Sequence, residues 1–342
     1  RWGSRRCIIC FIWRVRQALG GRRGGGSAAS DVYKGQMYSY PLAKGWVQKI
    51  STSWRNVMIA IPFFWLLVFF LAPFLIVLKI SFAESLIASP PFSSLLEILD
   101  DGTLIMRLAY ENYSYLWEDP LYVRTYLNSI RISTISTILC LLIGYPMAYA
   151  IVRSPSTTRF VLLMLIILPF WSSFLLRVYA WMGLLADQGT INNILIWLGL
   201  IDRPLRLMYS ELAVHIGIVY SYLPFMILPL YANMEKLDDS LIEASADLGA
   251  RPIMTFLTVT LPLTVPGMVA GSLLVFIPAT GEFVIPDLLG GGNVLMIGRV
   301  LYNEFNANHD WPVASAVAIM LLLVLVIPMM IYQHSQSKQA GN

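Results

Sequence analysis

Asp238-Asp-Ser-Leu-Ile-Glu-Ala-Ser-Ala-Asp-Leu-Gly-Ala-Arg-Pro-Ile-Met-Thr-Phe-Leu-Thr-Val-Thr-Leu-Pro262 is a polar interruption between two long apolar runs. Asp238, Asp239 and Ser240 are residues that cap helix N-termini and place negative charge where a helix start favours it. Leu241, Ala244, Ala246 and Leu248 follow, interleaved with Glu243 and Asp247. Gly249 then stands where a helix can end in left-handed backbone, a conformation that costs other residues a steric penalty. Arg251-Pro252 opens a second helix with proline in its first turn, and that helix runs through Phe256 towards Leu261-Pro262. The pattern predicts a short helix, a tight glycine turn and a second helix. Ala244, Ser245 and Ala246 leave a low surface that a partner can approach. An ordinary loop helix resting on a membrane explains the same pattern equally well.

The flanking runs set the class of the molecule. Of 342 residues, 57% are hydrophobic and 13% charged, with a mean hydropathy of +0.66. Soluble domains carry about twice that share of charge. Six apolar segments are long enough to cross a bilayer, which takes about 20 helical residues: 57–80, 129–152, 161–185, 212–234, 263–288 and 313–332. The expected fold is therefore an all-α integral membrane protein with six transmembrane helices. Residues 191–200 are too short to span and are expected to pack at the outer surface. Gly267-Met-Val-Ala-Gly271 spaces small residues for close helix packing. Pro146, Pro169, Pro224, Pro229 and Pro278 fit either simple kinks or broken helices around a watery path.

Basic residues orient the chain. The net charge of +4 conceals an asymmetry that argues membrane orientation and not nucleic-acid binding. Lys44, Lys49 and Arg55 precede the first span, so that end is expected in the cytoplasm, and with six spans the C-terminus with Lys338 lies there too. Residues 81–128, which would face outward, hold seven acidic residues against Arg107 and Arg124. Residues 1–55 read as a basic, disordered cytoplasmic arm, or as sequence upstream of a start at Met37. A transmembrane permease domain is expected over 56–334, with the polar loop at 235–262, and a cytoplasmic tail over 335–342. Cys7 and Cys10 form a lone C-x-x-C with no second pair, and Cys140 lies in an apolar run, so no metal site is expected.

Glu243-Ala244-Ser245 with Gly249 and Val259-Thr260-Leu261-Pro262 resembles the EAA motif of permeases in ATP-binding-cassette importers. That pattern is Glu-Ala-Ala, three residues, Gly, nine residues, Ile-x-Leu-Pro; Ser245 and Val259 are the departures, both conservative. The resemblance implies the type I importer permease fold, with this loop as a coupling helix docking on a separate ATP-hydrolysing subunit. It further implies that Glu243, Ala244 and Ser245 form the docking face, with Asp247 beside them. Gly249 would set the turn, and Leu261 and Pro262 would lead into the fifth span. Over 57–332 the sequence is similar to spermidine/putrescine permeases, nearest the putrescine one, in Tyr222–Tyr231, Val275–Asp287 and Asp310–Ser315. The family implies a pair of ATP-binding subunits, a second permease subunit, a periplasmic substrate-binding protein and a place in the bacterial inner membrane. ATP and magnesium would be used by the partner, with no cofactor on this chain.

A polyamine is a multiple cation, so its path should offer carboxylates and aromatic faces. Intramembrane charges are functional candidates by default. Glu282 stands in the fifth apolar segment and Asp287 near its end; Trp171, Tyr179, Tyr220 and Tyr222 are candidate aromatic faces. A structural pair between Glu282 and Arg177 is the plain alternative, as is simple packing for each aromatic. Catalysis is not expected: the chain has three histidines, no H-E-x-x-H, and no Gly-x-x-x-x-Gly-Lys-Ser/Thr phosphate loop. Transport of another small solute within the same family, or proton- or sodium-coupled transport, are the competing readings.

Overall fold

The computed structural model describes residues 58–98 and 104–340. The expected arm over 1–55 and the last two residues of the expected tail lie outside them. The chain divides into two units at Leu71/Ala72. Helix α1, Met58–Ile80, is apolar up to Lys79 in its last turn and contains a π-turn at Leu67–Leu71. A two-stranded antiparallel hairpin follows, β1 Leu96–Ile98 with β2 Leu104–Met106, in the register Glu97 opposite Ile105. Every other regular element among the described residues is a helix. Helix α2, Glu111–Glu118, leads to α3, Pro120–Arg153.

Helix α3 begins nine residues before the expected span. Asp119 accepts the Leu121 N–H at 2.8 Å and Pro120 supplies a pre-set first turn. In the sequence Asp119 is one of the seven acidic residues of 81–128, and nothing there marks it as a cap. Along α3 the buried face runs Tyr122, Thr125, Ser129, Ile132, Ser133, Ser136, Thr137, Cys140, Gly144, Ala148 and Ile151, mostly small and polar side chains at helical spacing.

The third expected span is not one helix. Helix α4, Ser156–Trp171, and the segment Phe174–Trp197 meet at 92° across Ser172 and Ser173. The latter comprises α5, Phe174–Leu185, and α6, Thr190–Trp197. Pro169 tightens the end of α4 into a 3₁₀ turn over Leu168–Trp171. The carbonyls freed there are met by side chains: Ser172 Oγ donates to Pro169 O at 2.7 Å, and the Arg177 guanidinium donates to Pro169 O and to Ser172 O. Arg177 also lies over the Phe170 ring, 5.2 Å from its centroid. The charge in this segment is the cap of a bend.

Helix α7, Glu211–Met234, starts on Ser210, whose hydroxyl accepts the Ala213 N–H at 3.2 Å. Helix α8, Asp239–Asp247, is the short helix predicted from the polar loop. Helix α9, Pro252–Thr280, merges the second loop helix with the fifth span. Pro262 would clash with the carbonyl four residues earlier in a regular helix. The strain is taken up by a π-turn at Phe256–Thr260, where Leu261 N–H reaches back to Phe256 O. The expected span 263–288 is corrected at its far end too: the helix stops at Thr280, and Gly281 begins a re-entrant segment with a π-turn at Pro286–Gly290. Helix α10, Ile297–Asn306, and α11, Trp311–Ala340, complete the chain.

Among the described residues, α1, α3, α7 and α9 are long and apolar enough to cross a membrane, and the bent pair makes a fifth candidate. Helix α11 is apolar over Trp311–Val326. Helices α3, α7 and α9 form the centre. A side chain on Gly271 would strike Met226, 3.0 Å from its carbonyl oxygen, and one on Gly267 would strike Asn233. Both glycines of the predicted small-residue pair therefore sit at the α7–α9 contact, where the lack of a side chain lets the helices close.

Candidate functional site

Two places bring chemistry-bearing residues together, one at each end of the bundle. At the end where α7 hands over to α9, Asp238 caps α8 by accepting the Ser240 N–H at 3.0 Å, and this bond holds its carboxyl below the usual carboxylate range. The far end of α8 closes through two backbone bonds, Gly249 N–H to Ala246 O at 2.9 Å and Ala250 N–H to Ser245 O at 3.1 Å. This pair of bonds is the Schellman arrangement, and it needs the positive φ of +80° that Gly249 adopts. Pro252 then starts α9.

Glu243, Ala244 and Asp247 are exposed on α8, as are the apolar Leu241 and Leu248. Ser245 is not. It is buried, and its hydroxyl shares a hydrogen bond of 2.9 Å with Thr255 of α9. Its expected place on a docking face is corrected: the small polar residue closes the hairpin from inside, because its position on α8 points at the second helix. Leu261 is half-buried and Pro262 exposed beyond the π-turn.

At the other end, Glu282 is buried at the start of the re-entrant segment. One carboxyl oxygen accepts the Tyr222 hydroxyl at 2.5 Å; the other accepts the N–H groups of Val284 at 3.0 Å, Phe283 at 3.2 Å and Ile285 at 3.4 Å. The carboxyl group thus gathers the free amides at a helical start, where an anion is favoured. Arg177 is occupied at its own bend, and among the described residues no ion pair reaches Glu282. The structural pair between the two is overturned.

Several close approaches hold this segment. A side chain on Gly217 of α7 would meet Ile285 and Leu289, and one on Gly298 of α10 would meet the carbonyls of Gly281 and Glu282. Ser129 Oγ accepts the Ile297 N–H at 2.7 Å, and Asn128 donates to Leu295 O at 2.8 Å. Asp287 pairs with Arg299 at 2.9 Å, and Arg299 also donates to Gly291 O. Asp287 is therefore an anchor of α10 to the re-entrant turn.

The candidate aromatics divide. Tyr222 joins Glu282 directly and leads through Phe225, 6.1 Å away between centroids, to Phe170, 5.3 Å further. Tyr220 stacks edge-on against Trp181 at 5.4 Å. Trp171 and Tyr179 are exposed, and among the described residues no hydrogen bond or ring contact joins them to Glu282. Sequence reasoning missed Asn128, Ser129 and Gly298. The signal for Ser129 is the polar stripe along α3; Asn128 and Gly298 carry none beyond their identity.

The family model described as "binding-protein-dependent transport system inner membrane component" matches residues 41–339. The chain belongs to that family. It is a membrane transport component, and the reading as an ion-coupled transporter falls with the assignment. Relatives agree. The chain is 42% identical over 288 residues to the spermidine/putrescine transport system permease protein PotB of Haemophilus influenzae, covering 84% of this chain and 95% of that protein. It is 40% identical over 269 residues to PotB of Escherichia coli, covering 78% and 92%. A bacterial ABC transporter structure involved in the import of the acidic polysaccharide alginate matches with a TM-score of 0.61 at 18% identity, over 85% of this chain and 98% of that one. That likeness fixes the fold of an ABC importer permease and says nothing of cargo.

Proposed function

We propose that this permease moves a polyamine, putrescine or spermidine, into the cytoplasm, with both termini on the cytoplasmic side. The observation that carries the substrate is the 42% identity to a spermidine/putrescine permease over nearly that protein's whole length. The proposed partners are a pair of ATP-binding subunits at α8, a second permease subunit beside this one, and a periplasmic binding protein opposite. ATP and magnesium belong to the ATP-binding pair in this reading, and this chain carries no cofactor. Glu243, Ala244 and Asp247, with Leu241 and Leu248, offer the ATP-binding subunit a mixed acidic and apolar face. Gly249 fixes that face in direction through the turn.

Glu282 and Tyr222 are the proposed cation site of the path. The support is chemical: a buried carboxyl group whose one oxygen is held by backbone amides and whose other meets a hydroxyl can exchange that hydroxyl for an ammonium group. Trp171, Tyr179 and Tyr220 remain proposed lining residues, and Asp287 a second carboxylate near the outer end.

The test is uptake of labelled putrescine and spermidine by cells lacking polyamine importers and expressing this permease with its neighbouring transport genes. ATP-dependent uptake that unlabelled putrescine competes is expected. Assembled protein with no uptake of either would reject the polyamine assignment.

A further inference from the structure

Between the C-terminal end of α3, the start of α4 and the start of α8 lies an open cavity of about 420 Å³, lined by Tyr149, Arg153, Arg159, Glu235 and Asp239 among others. Apolar side chains pack α3, α4 and α7 together beside it, Ile151, Leu162 and Met234 among them, and leave the cavity itself open. Charged side chains cross it. Arg153, in the last turn of α3, reaches Asp239, the first residue of α8, with Nη1 3.5 Å from Oδ1. Arg159, in the first turn of α4, reaches Glu235 at the end of α7, with Nη1 3.3 Å from Oε1.

Each pair is set in place from behind. The Arg153 guanidinium lies over the Tyr149 ring, 5.4 Å from its centroid. Arg159 donates to the end carbonyls of α3, Val152 O at 2.7 Å and Ser154 O at 3.4 Å, and Tyr231 donates to Glu235 Oε1 at 2.6 Å. The two acidic partners bracket the entry to α8, one on each side of Lys236-Leu237-Asp238. All four side chains are partly exposed, so neither pair adds much to stability. Their geometry is that of a link: a displacement of α8 acts on the α3–α4 corner through charge, across a space that packing leaves open.

We infer that Arg153–Asp239 and Arg159–Glu235 form an ionic strap that makes the α3–α4 corner follow α8 during the ATP cycle. The four are positioning residues for transport, acting through α8. The inference rests on α8 being the coupling helix and is independent of the cargo. Electrostatic restraint across an open gap costs little to form and keeps the α3–α4 corner beside α8 as both move.

The test uses the whole transporter, assembled with its ATP-binding and permease partners in proteoliposomes. Spin labels at Thr157→Cys and Ser240→Cys, both exposed, in a Cys7→Ser/Cys10→Ser background, report the distance between α4 and α8 with and without ATP. In the otherwise unaltered chain the distance should stay constant. In Asp239→Asn/Glu235→Gln it should change on adding ATP, and uptake per ATP hydrolysed should fall by about fivefold or more, the range of a typical coupling energy. Arg153→Glu should lower the same ratio, and adding Asp239→Lys should restore it. A distance that shifts equally in the unaltered and doubly neutral chains overturns the strap. So does an unchanged ratio in the double variant, or a charge exchange that restores nothing. Failure of the unaltered transporter to take up putrescine would count against the polyamine reading alone, because the distance measurement needs no cargo.

Discussion

At Gly249 the backbone sits at φ +80° with no atom within 4 Å of where a side chain would begin. The demand on this position is therefore conformational and not steric. Asparagine tolerates left-handed backbone and β-branched residues do not. Gly249→Asn should keep transport near its normal rate, while Gly249→Val should insert normally and lose uptake per ATP hydrolysed. Equal transport by both variants would remove the turn from the coupling argument. Glu282 poses a different question, since it both caps a helical start and offers charge. Glu282→Gln keeps a carbonyl for the Val284 amide and loses the charge, so protein level should hold while the KM for polyamine rises. Glu282→Ala also orphans the half-buried amide of Val284 and the buried amide of Ile285, and should lower thermal stability by about 1–3 kcal/mol. Unchanged uptake kinetics in Glu282→Gln would leave the residue a cap only.

Among the elements, the loop hairpin was legible because its signals are local. Asp238, Gly249 and Pro252 each state a backbone requirement, and the structure meets all three. The re-entrant segment was not legible, because apolar composition is the same whether a chain continues as a helix or folds back against α7 and α10. Gly281 and Pro286 allow the turn without demanding it. The α4–α5 bend is an intermediate case: Pro169 marks it in the sequence, but the pairing of Arg177 with the carbonyls at the end of α4 is a contact across eight residues. Ser245 shows the same limit, since its partner Thr255 lies beyond a turn whose geometry must be known first. Arg177→Leu should therefore act on this element. It removes a charged donor from Pro169 O and Ser172 O, and should lower the detergent-solubilised unfolding midpoint by the equivalent of about 1–3 kcal/mol. Arg177→Lys, which keeps one donor direction, should fall between. A midpoint unaffected by Arg177→Leu would mean that water satisfies the bend.

On the scale of the whole molecule, the two sites lie at opposite ends of α9, Glu282 just beyond its last residue and α8 before its first; Tyr222 meets Glu282 from the middle of α7, and Glu235 stands at the end of that helix. Gly267 and Gly271 hold α9 against α7 between them, so the helices that carry the carboxyl site also carry the hairpin. What fixes the carboxyl site laterally is α10. Its Gly298 lies so close to Gly281 and Glu282 that a Cβ would stand 2.7 Å from the Glu282 carbonyl oxygen, and its first amide is bound by Ser129 of α3. Gly298→Ala should push the re-entrant segment off α10 at a cost of about 1–3 kcal/mol, the usual range for overpacking. The atoms nearest that methyl group belong to Gly281 and Glu282, past the last residue of α9, so the α3–α7–α9 centre should still assemble with its partners. The expected result is a transporter that hydrolyses ATP, exposes the segment around Glu282 to protease, and takes up polyamine poorly. Normal uptake with unchanged protease resistance would show that α10 yields at no cost, and the close approach at Gly298 would then have no part in holding Glu282.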